Sequence, residues 1–335
     1  MNGKVVALLG ISLLILAGLV GLADIGELKE ILGSADPLMV VLSALSYTLA
    51  ITFFAVIWQL LIGSARLELR FIDNLRLVFS SVFFNVVTPT ASYGGEAVRA
   101  YLLTKKFNQD TGVGAATIVA HRIIGTLSNS AGTLILGLYL ITRYAVPPVL
   151  LVIILVVTLS SFIGFVVVLY FGLKIEWSTR FAEKIFNLIG RFREVTEEKR
   201  ESVNENLMSY HEGLSVLLKS RGTLIYSMLL GLVAWFFVNL VAVLAFKAVG
   251  GTISVENFLL IFTFFSVSRL IPTGLPEFVG SKEAILAALY AASGLPVSTS
   301  VAVIILIRLA TQLWMILLGG AVTLQLGFEG FREKA

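Results

Sequence analysis

The chain has no cysteine and only two histidines, His121 and His211. Disulfides, thiolate metal sites and cysteine nucleophiles are thereby excluded, and a histidine-built metal centre is not expected. Charge is sparse as well, at 14% of residues, and the net charge of +4 is spread along apolar flanks rather than gathered into a patch for nucleic acid. No phosphate-cradling glycine loop for a nucleotide appears. No cofactor and no nucleic-acid partner are expected.

What is present is apolar. Hydrophobic residues make up 57% of the 335 positions and the mean hydropathy is +0.94, far above a soluble domain. Several runs are long enough for a hydrocarbon core of about 30 Å. The expected fold is an all-α polytopic membrane protein in a single domain, 1–335. Full spans are expected near 5–23, 37–63, 112–142, 146–172, 223–248 and 297–326. The first of these runs after Lys4 could imitate a signal peptide. At 19 residues, Val5–Ala23 is long for one and lacks a clear cleavage site, so it reads as a span. Pro37 suits a first helical turn, and Pro147-Pro148 marks a short turn between spans.

Between the spans one motif occurs twice, about 185 residues apart. The first copy is NLRLVFSSVFFNVVTPTASYGGEAVRAYLL, from Asn74 to Leu103. The second is NFLLIFTFFSVSRLIPTGLPEFVGSKEAILAALY, from Asn257 to Tyr290. Each is an apolar arm, a proline turn at Pro89 or Pro272, glycine (Gly94 and Gly95; Gly274), and then a Glu-Ala pair opening a new helix. A long apolar helix carrying one arginine follows each, with Arg122 in the first and Arg308 in the second. The arms, Leu77–Ser92 and Phe258–Thr273, have 16 residues each, about 24 Å as helix. Both are short for a full crossing, so two re-entrant or broken helical hairpins are expected, near 77–107 and 257–294. Irregular backbone at that depth is tolerated only inside protein or along a wet cavity.

Basic residues set the orientation. With the N-terminus cytoplasmic, inside segments hold 18 Lys and Arg and outside segments hold three, Lys29, Arg143 and Lys247. Both termini are therefore expected on the cytoplasmic side of the cell membrane. The first hairpin then enters from the cytoplasm and the second from outside, which makes repeat A (about 74–142) and repeat B (about 257–326) inverted. Inverted repeats with broken helices are a transporter plan. Arg122 lies about ten residues into its helix from one face and Arg308 about eleven from the other. Both are expected to approach the midplane.

The segment 173–222 is the main extramembrane part, with nine basic and eight acidic residues. Trp177, Phe181, Ile185, Leu188 and Phe192 share one helical face, as expected for a helix at the cytoplasmic interface. Thr196 is a candidate cap for a second helix, with Val203, Leu207, Tyr210, Leu214 and Leu217 on one face. A lid or a docking surface for a partner enzyme is expected there.

The candidate site comprises Glu96, Arg99, Arg122, Arg269, Lys282, Glu283 and Arg308, with Glu277 at the second turn. Glu96 and Arg99, three apart, are read as a charge pair on one face. Gly94-Gly95 presents backbone N–H groups suited to an anion. Each intramembrane arginine costs roughly 2.5–3.5 kcal/mol at a helix centre, so each needs partners or water. Two readings stand side by side: the arginine forks hold a phosphate, or they hold Glu96, Glu277 or Glu283 and thereby the fold. His121 is read chiefly as a hydrogen-bonded packing residue. Five cations against three anions favour a phosphate-bearing ligand.

The residues PTASYGGEAVRAYLL resemble the G-E-x-x-R-x-x-L signature, after a proline turn, of the lysylphosphatidylglycerol synthase/flippase-like membrane domain family. IPTGLPEFVGSKEAIL resembles that family's second proline-glycine block, and RLATQLWMILLGG its closing helix with arginine, aromatic and glycine. The resemblance spans essentially the whole chain and implies a lipid translocase fold. Fused members carry a cytosolic aminoacyl-transfer domain after the membrane part. This sequence resembles the membrane part alone, so that activity is not expected. Leu275-Pro276-Glu277 also departs from the family's Gly-Gly. The expected function is flippase-like movement of a phosphate-bearing lipid, a phospholipid or polyprenyl-phosphate carrier, and not an enzyme. The alternatives are a membrane-embedded enzyme acting on a lipid phosphate and an ion-coupled transporter of a small anion.

Overall fold

The computed structural model describes residues 24–88, 94–143, 174–190, 197–251, 281–292 and 294–332, with Gly21 and isolated positions within 152–170 and 261–266. Every regular element among them is helical. In chain order these are α1 (Ile25–Gly33), α2 (Pro37–Ser64), α3 (Phe71–Val87), α4 (Gly94–Lys105), α5 (Thr111–Arg143), α6 (Ile175–Gly190), α7 (Glu197–Lys219), α8 (Arg221–Ala248), α9 (Ser281–Ala292), α10 (Val297–Arg308) and α11 (Trp314–Arg332). A π-turn, Leu309–Leu313, joins α10 to α11.

Among the described residues three helices are long and apolar enough to cross a bilayer: Pro37–Ser64, Arg221–Ala248 and the continuous Val297–Gly327. Their bounds lie within two residues of the spans expected from hydropathy. The 33-residue α5 matches the expected 112–142. The expected spans 5–23 and 146–172 lie outside the described residues, apart from Gly21 and isolated helical positions at 152–170. So do Pro147, Pro148, Phe192 and Thr196.

Local chemistry sets the ends. Asp36 caps α2 by accepting from Leu38 N at 2.8 Å, with Pro37 pre-set for the first turn. The short α1 was not among the expected elements. Asp24 starts it by accepting from Glu27 N at 2.9 Å, and Leu28 packs with Val301 and Ala302 of α10. The Asp-x-x-Glu pattern at 24–27 was the available signal, a variant of the capping box.

Contacts fix the directions of the helices. Ser43 donates to Val241 O and Ser46 to Phe237 O, so α2 and α8 are antiparallel. Trp58 reaches Thr117 and Phe54 reaches His121, so α5 also runs against α2 and hence along α8. Asp36 N donates to Ala248 O, which puts the start of α2 beside the end of α8. Val249 packs with Val301 and Ala302 at the same place, so α10 starts there. At the far end Lys106 Nζ, just beyond α4, donates to Leu326 O of α11. The continuous helix α10–α11 therefore runs opposite to α5.

Small residues permit the close crossings. A Cβ on Gly95 would sit 1.9 Å from the Ser81 carbonyl oxygen, so α4 lies hard against α3. A Cβ on Gly319 would meet Phe79 O at 2.8 Å, and Thr323 donates to Ser80 Oγ at 3.0 Å, so α11 crosses α3 closely. Such small-residue crossings, joined by hydroxyls, are how helices adhere where lipid offers no hydrophobic drive. In α7, Leu214 and Leu217 are buried against the body of the protein, with Tyr210 partly so, as the expected face required. In α6, Trp177 stays 44% exposed.

Candidate functional site

Glu96 is the third residue of α4 and lies in its first turn, where a carboxylate complements the helix dipole. Gly95 N donates to Asn85 Oδ1 at 2.7 Å, tying the start of α4 to the end of α3. Arg122, on α5, donates from Nη1 to Glu96 Oε1 at 2.7 Å. The pair is partly open, with 41% of the arginine side chain and 20% of the glutamate exposed. Glu96 Oε2 is buried and accepts no hydrogen bond among the described residues.

The second motif repeats the arrangement. Glu283 is again the third residue of a 12-residue helix, α9. Arg308 is the last of the 12 residues of α10, and Arg122 holds the matching twelfth place in α5. Arg308 Nε donates to Glu283 Oε1 at 3.0 Å, with Nη2 2.7 Å from the same oxygen. The sequence separations are 26 in the first pair and 25 in the second. The second pair is more enclosed, at 18% and 11% side-chain exposure.

Arg99 does not pair with Glu96 as the three-residue spacing suggested. Glu96 is committed to Arg122, while the Arg99 guanidinium lies 4.3 Å from the centre of the Trp58 ring and is only 3% exposed. Its Nη1 and Nη2 stand 3.3 and 3.4 Å from His121 Nδ1. Arginine can only donate, so His121 Nδ1 accepts and its Nε2–H donates to Phe54 O at 2.9 Å. His121 is thus a hydrogen-bonded bridge, the packing role read from the sequence. The ring face and the imidazole hold a desolvated cation next to the Glu96–Arg122 pair. Trp58 was missed because it sits in an earlier helix and shares no local pattern with Arg99.

A second polar cluster was also missed. Ser266, in the apolar arm of the second motif, contacts the Thr133 hydroxyl, accepts from Trp235 Nε1 at 2.8 Å and stands 3.3 Å from Asn129 Oδ1. Trp235 belongs to this buried clasp, and Asn239 donates to Trp235 O at 2.7 Å.

Of the remaining expected site residues, Pro89, Arg269, Pro272, Gly274 and Glu277 lie outside the described residues, as does the side chain of Lys282. Gly94, expected at the hairpin turn, is the first residue of α4. No group of three or more metal-ligating side chains occurs among the described residues.

Known proteins resemble this chain along its whole length. A UPF0104 membrane protein of Methanothermobacter thermautotrophicus is 24% identical over 340 aligned residues, covering 100% of this chain and 98% of the relative. Another, from Pyrococcus horikoshii, is 25% identical, covering 97% of each. The model of the lysylphosphatidylglycerol synthase TM region matches residues 8–320, and the chain belongs to that family of membrane proteins.

Proposed function

We propose that this protein is a flippase-like translocator of a lipid with a phosphate-bearing headgroup. The observation that carries the reading is the matched pair of Glu–Arg bridges, Glu96–Arg122 and Glu283–Arg308, each joining the third residue of a short helix to the twelfth of the next. The two halves bearing them run in opposite directions, which supports inverted repeats and a path between them. The short α3 and α4, at 17 and 12 residues, suit a hairpin that enters part-way.

Phosphate oxygens compete with a carboxylate for the same guanidinium fork. A glutamate therefore holds each arginine when no headgroup is bound and yields it when one arrives. Arg99 adds a second cation beside Arg122, so the first station carries an excess of positive charge over Glu96 alone. The acyl tails remain in the bilayer. A membrane role involving lipid also fits the family.

The test is headgroup movement in proteoliposomes carrying a fluorescent phosphatidylglycerol or a polyprenyl phosphate. Wild-type protein is expected to move one of them between leaflets, and Arg122→Ala and Arg308→Ala are each expected to slow that movement severely. Unchanged movement in both variants would remove the arginines from the mechanism. Uptake of free phosphate instead of lipid movement would indicate a small-anion transporter, and chemical conversion of the lipid an enzyme.

A further inference from the structure

One face of α5 is polar at helical spacing: Arg122, Thr126, Asn129 and Thr133. Steps of four, three and four residues keep these side chains within about 60° of one another and spread them over about 16 Å of helix axis. In a helix otherwise rich in Ile, Leu and Ala, that stripe needs a use. Its exposure falls steadily along its length. The Arg122 side chain is 41% exposed, Thr126 is half-buried, Asn129 is 8% exposed and Thr133 is fully buried.

What covers the deep end is the clasp on Ser266. Its hydroxyl contacts that of Thr133, and lies 3.3 Å from Asn129 Oδ1. Asn129 Nδ2 is 3.5 Å from Ser266 O, and Thr133 donates to Asn129 O at 2.6 Å. Trp235 closes the cluster from α8 and rests on Gly132, where a Cβ would come within 2.4 Å of the indole. Three elements thus meet there: α5 and the arm of the second motif through hydroxyl and amide groups, and α8 through an indole. Beyond it on the same helices, Asn239 Oδ1 and Thr263 Oγ1 are buried acceptors without a partner among the described residues.

We propose that the Arg122–Thr133 face of α5 is the track along which the polar headgroup travels, and that Ser266, with Asn129, Thr133 and Trp235, is the gate closing it. This rests on the reading of the protein as a lipid translocator. The gate suits hydroxyl-rich or phosphate headgroups, because the groups it releases on opening are the donors and acceptors such a headgroup needs. Neutral hydrogen bonds are weak enough, at about 0.5–1.5 kcal/mol each, to open and close repeatedly.

The absence of native cysteine makes the test clean. In the variant Thr133→Cys/Ser266→Cys, oxidation ties the arm to α5. Movement of fluorescent phosphatidylglycerol is expected to fall to the protein-free background on oxidation and to return on reduction. Equal rates above background in the oxidised and reduced states would overturn the gate while leaving translocation intact; where the reduced variant is itself inactive, the labelling test decides. A wild type that moves no lipid would overturn translocation, and labelling then decides the gate by itself. Thr133→Cys is treated with a membrane-impermeant maleimide, with Ser266 intact or changed to Ala. Loss of the Ser266 hydroxyl is expected to speed labelling by at least roughly two- to tenfold, the factor that one lost hydrogen bond allows. An unchanged labelling rate would overturn the gate.

Discussion

Glu283 is 8% exposed and its bridge to Arg308 is enclosed, whereas the Glu96–Arg122 bridge is partly open. The two bridges therefore differ in energy despite their matching positions. Removing one partner of a buried pair leaves an uncompensated charge and costs about 3–5 kcal/mol. For a partly open pair the figure falls toward about 1 kcal/mol. Arg308→Ala is thus expected to lower the melting temperature in detergent well below that of Arg122→Ala, and Glu283→Gln/Arg308→Gln to recover part of the loss. Equal melting temperatures for the two single variants would contradict the difference in enclosure. The charges themselves were legible in the sequence, because an arginine in an apolar run has few uses. Their partners were only partly so. The spacing of Glu96 and Arg99 suggested a local pair, and only the tertiary fold brings Trp58 and His121 to Arg99 and leaves Glu96 for Arg122.

At the scale of elements, the packing of α4 on α3 depends on one missing side chain. A Cβ at Gly95 would lie 1.9 Å from a backbone oxygen of Ser81, and backbone cannot swing aside as a side chain can. Gly95→Ala is expected to separate α4 from α3, displace Glu96 and give protein that aggregates on size-exclusion chromatography. Gly63→Ala, with nothing within 4 Å in α2, is the control and is expected to be neutral or to stabilise by up to about 1 kcal/mol. A monodisperse, fully stable Gly95→Ala protein would show that the crossing tolerates more room. Helix positions were readable here because hydropathy and caps act locally, as the match of 37–63 to Pro37–Ser64 illustrates. The π-turn at Leu309–Leu313 was not readable. One extra residue per turn leaves the run RLATQL looking like any apolar helix, and its position directly after Arg308 emerges only from the backbone.

The whole molecule joins two halves that cross over one another. In the first motif α3 packs on α11 through Ser80 and Thr323, while in the second Ser266 packs on α5 through Thr133. Each short arm thus leans on the long helix of the other half, so movement of one half must disturb the contacts of both. The placement of 18 basic residues against three leads to the expectation that the two motifs enter from opposite faces. The contact between Lys106 and Leu326 at one end, and Val249 beside Val301 at the other, sets α10–α11 against α5. Together they predict the outcome of labelling in sealed vesicles. Lys105→Cys, at the end of α4, is expected to react with an impermeant maleimide from the cytoplasmic side alone. Val297→Cys, at the start of α10 and 43% exposed, is expected to react from the opposite side alone. Reaction of both from one side would break the inverted arrangement, and with it the reason for placing a lipid path between the two bridges.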